Sequence, residues 1–360
     1  MRYGRVMAAR AVAVVLLMAG AGVAAEDVRI VELKGDAAQI GMQHGKLMGE
    51  QIKTLHREYL RRCFGDEQRY KQGLAAAAGF GSRLLPEHAA ELTALAQGAG
   101  MDGGEMLLAN CFLDLLPNIA CSTIALPAEA SPDGVARLGR NLDFPAKGVA
   151  DKASVLLIVR PQGRYAFANV TWPGVIGVLS GMNEHGLCVA NMEISRVVRP
   201  PTAMPYILLY RMVLERCKTV DEAVELLKKT PRQSANNLML MDAAGNRAVA
   251  EITPAGVVVR KGAAGAALIS TNHQRGQDQA SGGKCWRYDR LRTAAGDDFG
   301  KIDAAAVEKM LDTVSVQGLT IQSMVFEPAK RVMWLAVGSE ATRRDYERIE
   351  LGKLFANGER

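Results

Sequence analysis

Cys121 opens a short β-type run, Cys121-Ser-Thr-Ile-Ala125, and Arg140 and Asp143 follow beyond the turn Pro132-Asp-Gly134 in the stretch Gly139-Arg-Asn-Leu-Asp-Phe144. A cysteine by itself is an ordinary small buried hydrophobe. A guanidinium beside it favours the thiolate, and a carboxylate nearby can hold a protonated amine, so the three together have the chemistry of a thiol nucleophile. In a regular strand Asn141 points to the face opposite Arg140. Two amides, Asn183 in Met182-Asn-Glu-His-Gly186 and Asn272 in Ser270-Thr-Asn-His273, read by themselves as turn residues. His185 and His273 leave a Cys-His dyad open. Arg287 and Arg290 share the run Trp286-Arg-Tyr-Asp-Arg-Leu291, where either could serve a site as a cation or stand solvated at the surface. No His/Cys cluster has zinc spacing and no Gly-rich phosphate loop occurs, so chemistry without cofactor or metal is expected.

The elements that must carry these residues change character near residue 120. From Gln39 to Leu116 apolar residues such as Ile40, Leu47, Ile52 and Leu55 recur at helical spacing, and Pro86 suits a helix start. Beyond Ala120 short β runs dominate: Val155–Val159, Tyr165–Val170, Leu187–Met192, Leu238–Met241, Ala248–Ile252, Val257–Arg260 and Arg331–Ala336. The turns Asp242–Gly245, Thr253–Gly256 and Glu327–Lys330 suit hairpins, which predicts largely antiparallel sheets. Helices are expected over Tyr206–Cys217, after Thr219 with Glu222 in a capping box, and over Ala304–Thr313 with Asp303 as cap. The pattern is that of an α+β layered protein.

The 360 residues, 49% hydrophobic and 23% charged, suffice for a large core and exclude a disordered tail. The first 25 residues read as a secretory leader, with Arg2, Arg5 and Arg10 before the apolar run Ala11–Met18 and small residues to Ala25. A retained anchor is the alternative, but the run is short for a bilayer span. Removal would start the chain at Glu26, in a periplasmic or secreted setting with no stable membrane span. Without the leader's three arginines the net charge falls from +6 to +3, and aromatics are only 5%, which removes most of the case for a nucleic-acid partner. Six scattered cysteines do not make a disulfide scaffold.

The Cys121 run, the Asp-Gly turn and Gly139–Phe144 resemble the start of the catalytic chain in the N-terminal-nucleophile (Ntn) hydrolases of the choloylglycine hydrolase, penicillin V acylase and acyl-CoA:6-aminopenicillanate acyltransferase group. Trp172-Pro-Gly174 with Gly181–Leu187, Ser270–His273 and Trp286–Leu291 resemble its later blocks in the same order. The upstream motifs Gly41-Met-Gln-His-Gly45 and Glu91–Gly100 are similar to the acyltransferase-like branch, peptidase family C45.

The resemblance implies a four-layer αββα sandwich of antiparallel sheets over residues 121–360. It also implies a helical prosegment, residues 26–120, cut at Ala120–Cys121 and kept as a small subunit. Cys121 would then supply both the thiol and, through its freed α-amine, the base. Arg140 would stabilise the thiolate, Asp143 would orient the amine, Asn183 and Asn272 would serve the oxyanion, and Arg287 would order the nucleophile. Ala120 stands where the fungal acyltransferase is cut after Gly, and Ser122 where many relatives have Thr. The implied substrate is a small-molecule acyl amide, an N-acyl amine or N-acyl amino acid. Acyl transfer to an amine, bile-salt or penicillin cleavage, and a non-catalytic exported ligand-binding protein are the alternatives.

Overall fold

The computed structural model describes residues 28–116, 120–194, 201–276 and 284–356. The expected leader, 1–25, and residues 117–119 just before the expected cleavage point lie outside them. In chain order the strands are β1 (Ile30–Gly35), β2 (Ala120–Leu126), β3 (Arg137–Asp143), β4 (Val155–Pro161), β5 (Phe167–Thr171), β6 (Ser180–Asn183), β7 (Cys188–Glu193), β8 (Asn236–Met241), β9 (Arg247–Ile252), β10 (Val257–Lys261), β11 (Leu268–Ser270), β12 (Thr320–Glu327), β13 (Val332–Val337) and β14 (Glu347–Ile349). The helices are α1 (Ala37–Leu55), α2 (Arg61–Phe64), α3 (Glu67–Gly81), α4 (Pro86–Ala99), α5 (Gly103–Ala109), α6 (Phe112–Leu115), α7 (Tyr206–Arg216), α8 (Val220–Lys229), α9 (Trp286–Asp297), α10 (Ala304–Thr313) and α11 (Leu351–Ala356). A π-helical turn, His56–Leu60, links α1 to α2.

Two sheets lie face to face. One runs β1-β4-β5-β6-β7-β8-β9-β10, the other β11-β2-β3-β12-β13-β14. Every pairing is antiparallel except β1 with β4. Strand alternation divides the core: Cys121 and Ala125 of β2 belong to the main core, whereas Ile124 and Leu126 pack with Leu291 of α9 and with Val307 and Leu311 of α10. Helices α7 and α8 cover the outer face of the first sheet, α9 and α10 that of the second. This is an α+β sandwich of four layers, and the hairpin turns at Asp242, Thr253 and Glu327 join β8–β9, β9–β10 and β12–β13.

The expected prosegment, residues 26–120, is not purely helical, because β1 is an edge strand of the first sheet, in register with β4 from Ile30↔Leu156 to Gly35↔Pro161. Local signals start α1: Asp36 caps it, accepting from Gln39 N at 2.8 Å, while Gln39 Oε1 accepts from Asp36 N at 3.0 Å. Helices α1 and α4 then meet backbone to backbone. A Cβ on Gly45 would stand 2.4 Å from Leu95 O and 2.6 Å from Ala99 N, and one on Gly41 would stand 2.1 Å from Glu91 O. Because no flexible side chain can give way there, Gly45→Val is expected to destabilise the protein by about 3 kcal/mol. A lowered urea midpoint with unchanged slope is the readout, and an unshifted midpoint would show that the helices can part freely.

Candidate active site

Register brings the sequence candidates to one end of the second sheet. In the β2–β3 ladder Ala120 pairs with Asp143, Cys121 with Leu142 and Thr123 with Arg140. Leu138, Arg140 and Leu142 therefore share the inter-sheet face with Cys121, while Asn141 and Asp143 face the helices. Asn141 confirms this, since its Nδ2 donates to Leu311 O of α10 at 2.7 Å. The Arg140 side chain crosses the space between the sheets, donating from Nε to Ser180 Oγ of β6 and from Nη1 to Asn191 O of β7 at 3.0 Å. Its Nη2 is buried with no hydrogen-bond partner among the described residues. Burial pushes the Cys121 thiol up, and the charge of Arg140 works against that rise.

From the other side Arg287, the second residue of α9, ties the end of β2 to β3. Its Nη1 donates to Cys121 O at 2.7 Å and to Asp143 Oδ2 at 3.1 Å, and its Nη2 donates to Asn272 Oδ1 at 2.9 Å. The same Asn272 Oδ1 accepts from Cys121 N at 2.8 Å. Two converging donors fix that atom as the amide oxygen, so Asn272 Nδ2 is the group that donates to Glu193 O at 2.7 Å. Asn272, expected to serve an oxyanion, here accepts from the backbone nitrogen of Cys121. Asp143, expected to orient the amine, accepts from Arg287 Nη1 and from Thr320 Oγ1, the latter at 2.6 Å. Burial pushes its carboxyl up to about 6, against the pull of Thr320, Arg287 and Arg140.

Asn183 is not brought into this cluster. Its Nδ2 donates to Leu214 O at 2.8 Å and Cys217 O at 2.7 Å, and its Oδ1 accepts from His185 N and Leu187 N at 3.1 and 3.0 Å. All four bonding positions are spent pinning the β6–β7 turn to the end of α7, which is the turn role its sequence context also allowed. His185 packs edge-on to Tyr165 at 4.4 Å, and His273 Nδ1 lies 3.4 Å from Thr271 Oγ1, so neither ring bonds Cys121. Arg290 leaves the site, donating to Thr313 O at 3.1 Å. All six cysteines are free, Cys63 half-buried and the rest buried.

Sequence reasoning missed several partners. Thr320 bonds Asp143 across a strand pair, and Glu193, buried at the end of β7, offers its carbonyl to Asn272. Asn237 Nδ2 donates to Thr271 O at 3.0 Å and His273 O at 2.9 Å, bracketing Asn272 on both sides. An acid closing the apolar run Leu187–Met192 was the one visible signal. Thr320 and Asn237 carry none, because their partners lie far off in sequence.

With this geometry in place, the chain can be compared with known proteins. The family model described as acyl-coenzyme A:6-aminopenicillanic acid acyl-transferase matches residues 130–342. An uncharacterized protein of Archaeoglobus fulgidus is 22% identical over 235 residues, 56% of this chain and 39% of the relative. Protein dcd1B of Dictyostelium discoideum is 23% identical over 234 residues, 58% of this chain and 47% of the relative. The chain thus spans less than half the length of these two curated relatives. Among solved structures it is similar to conjugated bile acid hydrolase from Clostridium perfringens, with TM-score 0.46, 16% identity and coverage of 65% of this chain and 93% of that one. It is also similar to the Caenorhabditis elegans ortholog of N-acylethanolamine-hydrolyzing acid amidase, with TM-score 0.46, 19% identity and coverage of 64% and 99%. Penicillin V acylase from Agrobacterium tumefaciens gives TM-score 0.46, 16% identity and coverage of 65% and 86%. No helix among the described residues is long and apolar enough to cross a membrane.

Proposed function

Because the chain belongs to the acyl-coenzyme A:6-aminopenicillanic acid acyl-transferase family, we propose that it is an exported, self-processing cysteine amidohydrolase that cleaves a linear amide, an N-acyl amine or N-acyl amino acid, through an acyl-enzyme on Cys121. The observation that carries this reading is the grip on both backbone atoms of Cys121: Asn272 Oδ1 holds N at 2.8 Å and Arg287 Nη1 holds O at 2.7 Å. A structural cysteine needs neither, whereas a nucleophile whose own nitrogen takes part in the chemistry needs that nitrogen fixed.

Self-cleavage begins when Cys121 Sγ attacks the Ala120 carbonyl. The C–N bond breaks as a C–S bond forms, and water then hydrolyses the thioester to leave an Ala120 carboxylate, the Cys121 thiol and a free α-amine. An amine with an ordinary pKa near ~7.7–8.0 exchanges protons readily near neutral pH. It takes the thiol proton as Sγ attacks the substrate amide, passes a proton to the departing amine, and activates the water that releases the acyl group. The unpartnered Arg140 Nη2 supplies positive charge next to the sulfur. The family's description favours a second reading, in which an amine acceptor replaces that water and the acyl group is transferred. Bile-salt or penicillin amides are the other substrates this chemistry allows.

Intact mass and N-terminal sequencing of the purified protein test the proposal. The expected result is two chains, one starting at Glu26 and the other at Cys121 with the sequence Cys-Ser-Thr-Ile. A single chain running through Ala120–Cys121 would remove the free-amine base.

Acidity gives a further check. Only the ionised Asp143 pairs with Arg287, and its carboxyl titrates at about 6, so the ionised form is lost as the pH falls through that value. The kcat/KM profile, already falling as the amine protonates, is therefore expected to steepen below about pH 6, and Asp143→Asn should remove that added steepening while lowering the plateau. A wild-type profile that does not steepen through this range would show that the Asp143–Arg287 pair does not govern the site.

A further inference from the structure

Two cavities flank Trp172 and Pro173. The first is a narrow cavity of about 40 Å³ at the bottom of a solvent-open recess, and it lies between residues 52–112 and the strands and loops that follow Cys121. Ile52, Leu55 and Tyr59 form one wall; Phe144, Trp172 and Val175 form the other. The rings make a continuous strip, with Tyr59 5.7 Å from Phe144 and Phe144 5.1 Å from Trp172 between centroids. The polar group on this wall, His56, is turned to Tyr70 Oη at 3.0 Å and Glu105 at 3.5 Å, so the lining is apolar. Phe144 directly follows Asp143, and its N–H is anchored to Leu319 O at 2.7 Å. The apolar wall therefore begins one residue from the Asp143–Arg287 pair. The wall opposite includes the π-helical turn His56–Leu60, an irregularity frequent at functional sites.

The second cavity, about 1120 Å³ with its mouth, shares Pro173 with the first and continues from Ala150, which lines the first, to Asp151–Val155, which line the second. Its character is opposite. Arg29, Lys152 and Arg344 face a single carboxylate, Asp151, and Gln51 and Ser154 add hydrogen-bonding groups. None of the three cations makes an ion pair among the described residues. Arg29 Nη2 and Arg344 Nε instead donate to the backbone carbonyls of Leu47 and Ser339, at 3.4 and 2.9 Å. Three cations against one carboxylate leave a net positive charge in a concave wall, and that concentrates anions there.

We propose that the two cavities form one bipartite site, and that the substrate is an amide whose apolar arm lies along Tyr59, Phe144 and Trp172 and ends in a carboxylate or phosphate met by Arg29, Lys152 and Arg344. This deepens the amidohydrolase reading and rests on it for the word substrate, but the binding site stands separately. An apolar pocket with a few placed polar groups at one end is how small-molecule sites fix orientation.

The test pairs turnover with binding. The anilide of decanoic acid is compared with the mono-anilide of decanedioic acid, which differs by a terminal carboxylate. The acidic substrate is expected to have a kcat/KM about tenfold higher at low salt, as a charge-assisted contact would supply, and Lys152→Gln/Arg344→Gln should bring the ratio near one. Separately, Cys121→Ala protein is titrated with decanoate, decyl phosphate and decanol. Tighter binding of either anion, lost in Lys152→Gln/Arg344→Gln, supports the site even if no amide is turned over, and the two anions distinguish carboxylate from phosphate. Equal binding of anions and decanol, or turnover with no preference for the acidic anilide, overturns the bipartite site while leaving the amidohydrolase reading intact.

Discussion

Cys121→Ala is expected to accumulate as one uncut chain and to lose turnover by on the order of 10⁴-fold or more, because in the proposed mechanism a single residue supplies the nucleophile, the base and the cleavage reagent. Its fold should survive. The side chain lost is small, and the contacts around it run through backbone N and O, which alanine keeps. Circular dichroism and a urea midpoint within about 1.5 kcal/mol of wild type would establish that. Cys121→Ser is the informative companion: a hydroxyl retains the geometry and is the poorer nucleophile, so slow cleavage with weak turnover is expected. Full turnover by the alanine variant would place the nucleophile elsewhere. Normal cutting of the alanine variant would show that another protease separates the chains.

The second large effect lies away from the chemistry, where the prosegment meets α7. Arg211 donates to both oxygens of Glu91 on α4, at 2.8 and 2.6 Å, and to Glu215 at 2.8 Å, and all three side chains are buried. Burial raises the Glu91 carboxyl even with the guanidinium against it. Arg211→Met leaves two carboxylates side by side with no cation, which should cost about 3–5 kcal/mol. The sign of its pH dependence follows. Without Arg211 the folded state holds these protons more tightly than the unfolded chain does, so the deficit is largest at neutral pH and shrinks as the pH falls toward the ordinary carboxylate range. Converting Glu91 and Glu215 to Leu in the same protein should recover most of the loss. Urea denaturation at neutral and mildly acidic pH measures both, and a variant within about 1 kcal/mol of wild type would refute the clamp.

What could be read from the sequence divides along the range of the interaction. Strands with their own apolar run and turn were visible: Leu238–Met241 is β8 without its two asparagines, and Ala304–Thr313 is α10 with Asp303 capping it. Thr219 caps α8 as expected, accepting from Glu222 N at 3.2 Å. The parallel pairing of β1 with β4 was not visible, because no turn joins them and Ile30–Gly35 mixes three apolar residues with two charged ones and a glycine. At the site, the residues that meet around Cys121 were named from ordered blocks together with a role for each, but the hydrogen bonds that carry those roles were not legible. Asn272 turned out to hold a backbone nitrogen because Arg287 and Cys121 both aim donors at its oxygen. Asn183 carried the same residue type in an equally apt turn, and only its four local hydrogen bonds reveal where its amide is used.

The placement of β1 sets a clock. Its backbone is zipped into the first sheet beside β4, and α1 and α4 lock against each other where glycine alone fits. Whatever becomes of the bond before Cys121, residues 28–116 can depart only by tearing an outer strand from the sheet and opening the Glu91–Arg211 contact. Release of residues 28–116 would strip an edge strand from the first sheet and open a buried ion pair, so brief dilution is expected to leave the two pieces together.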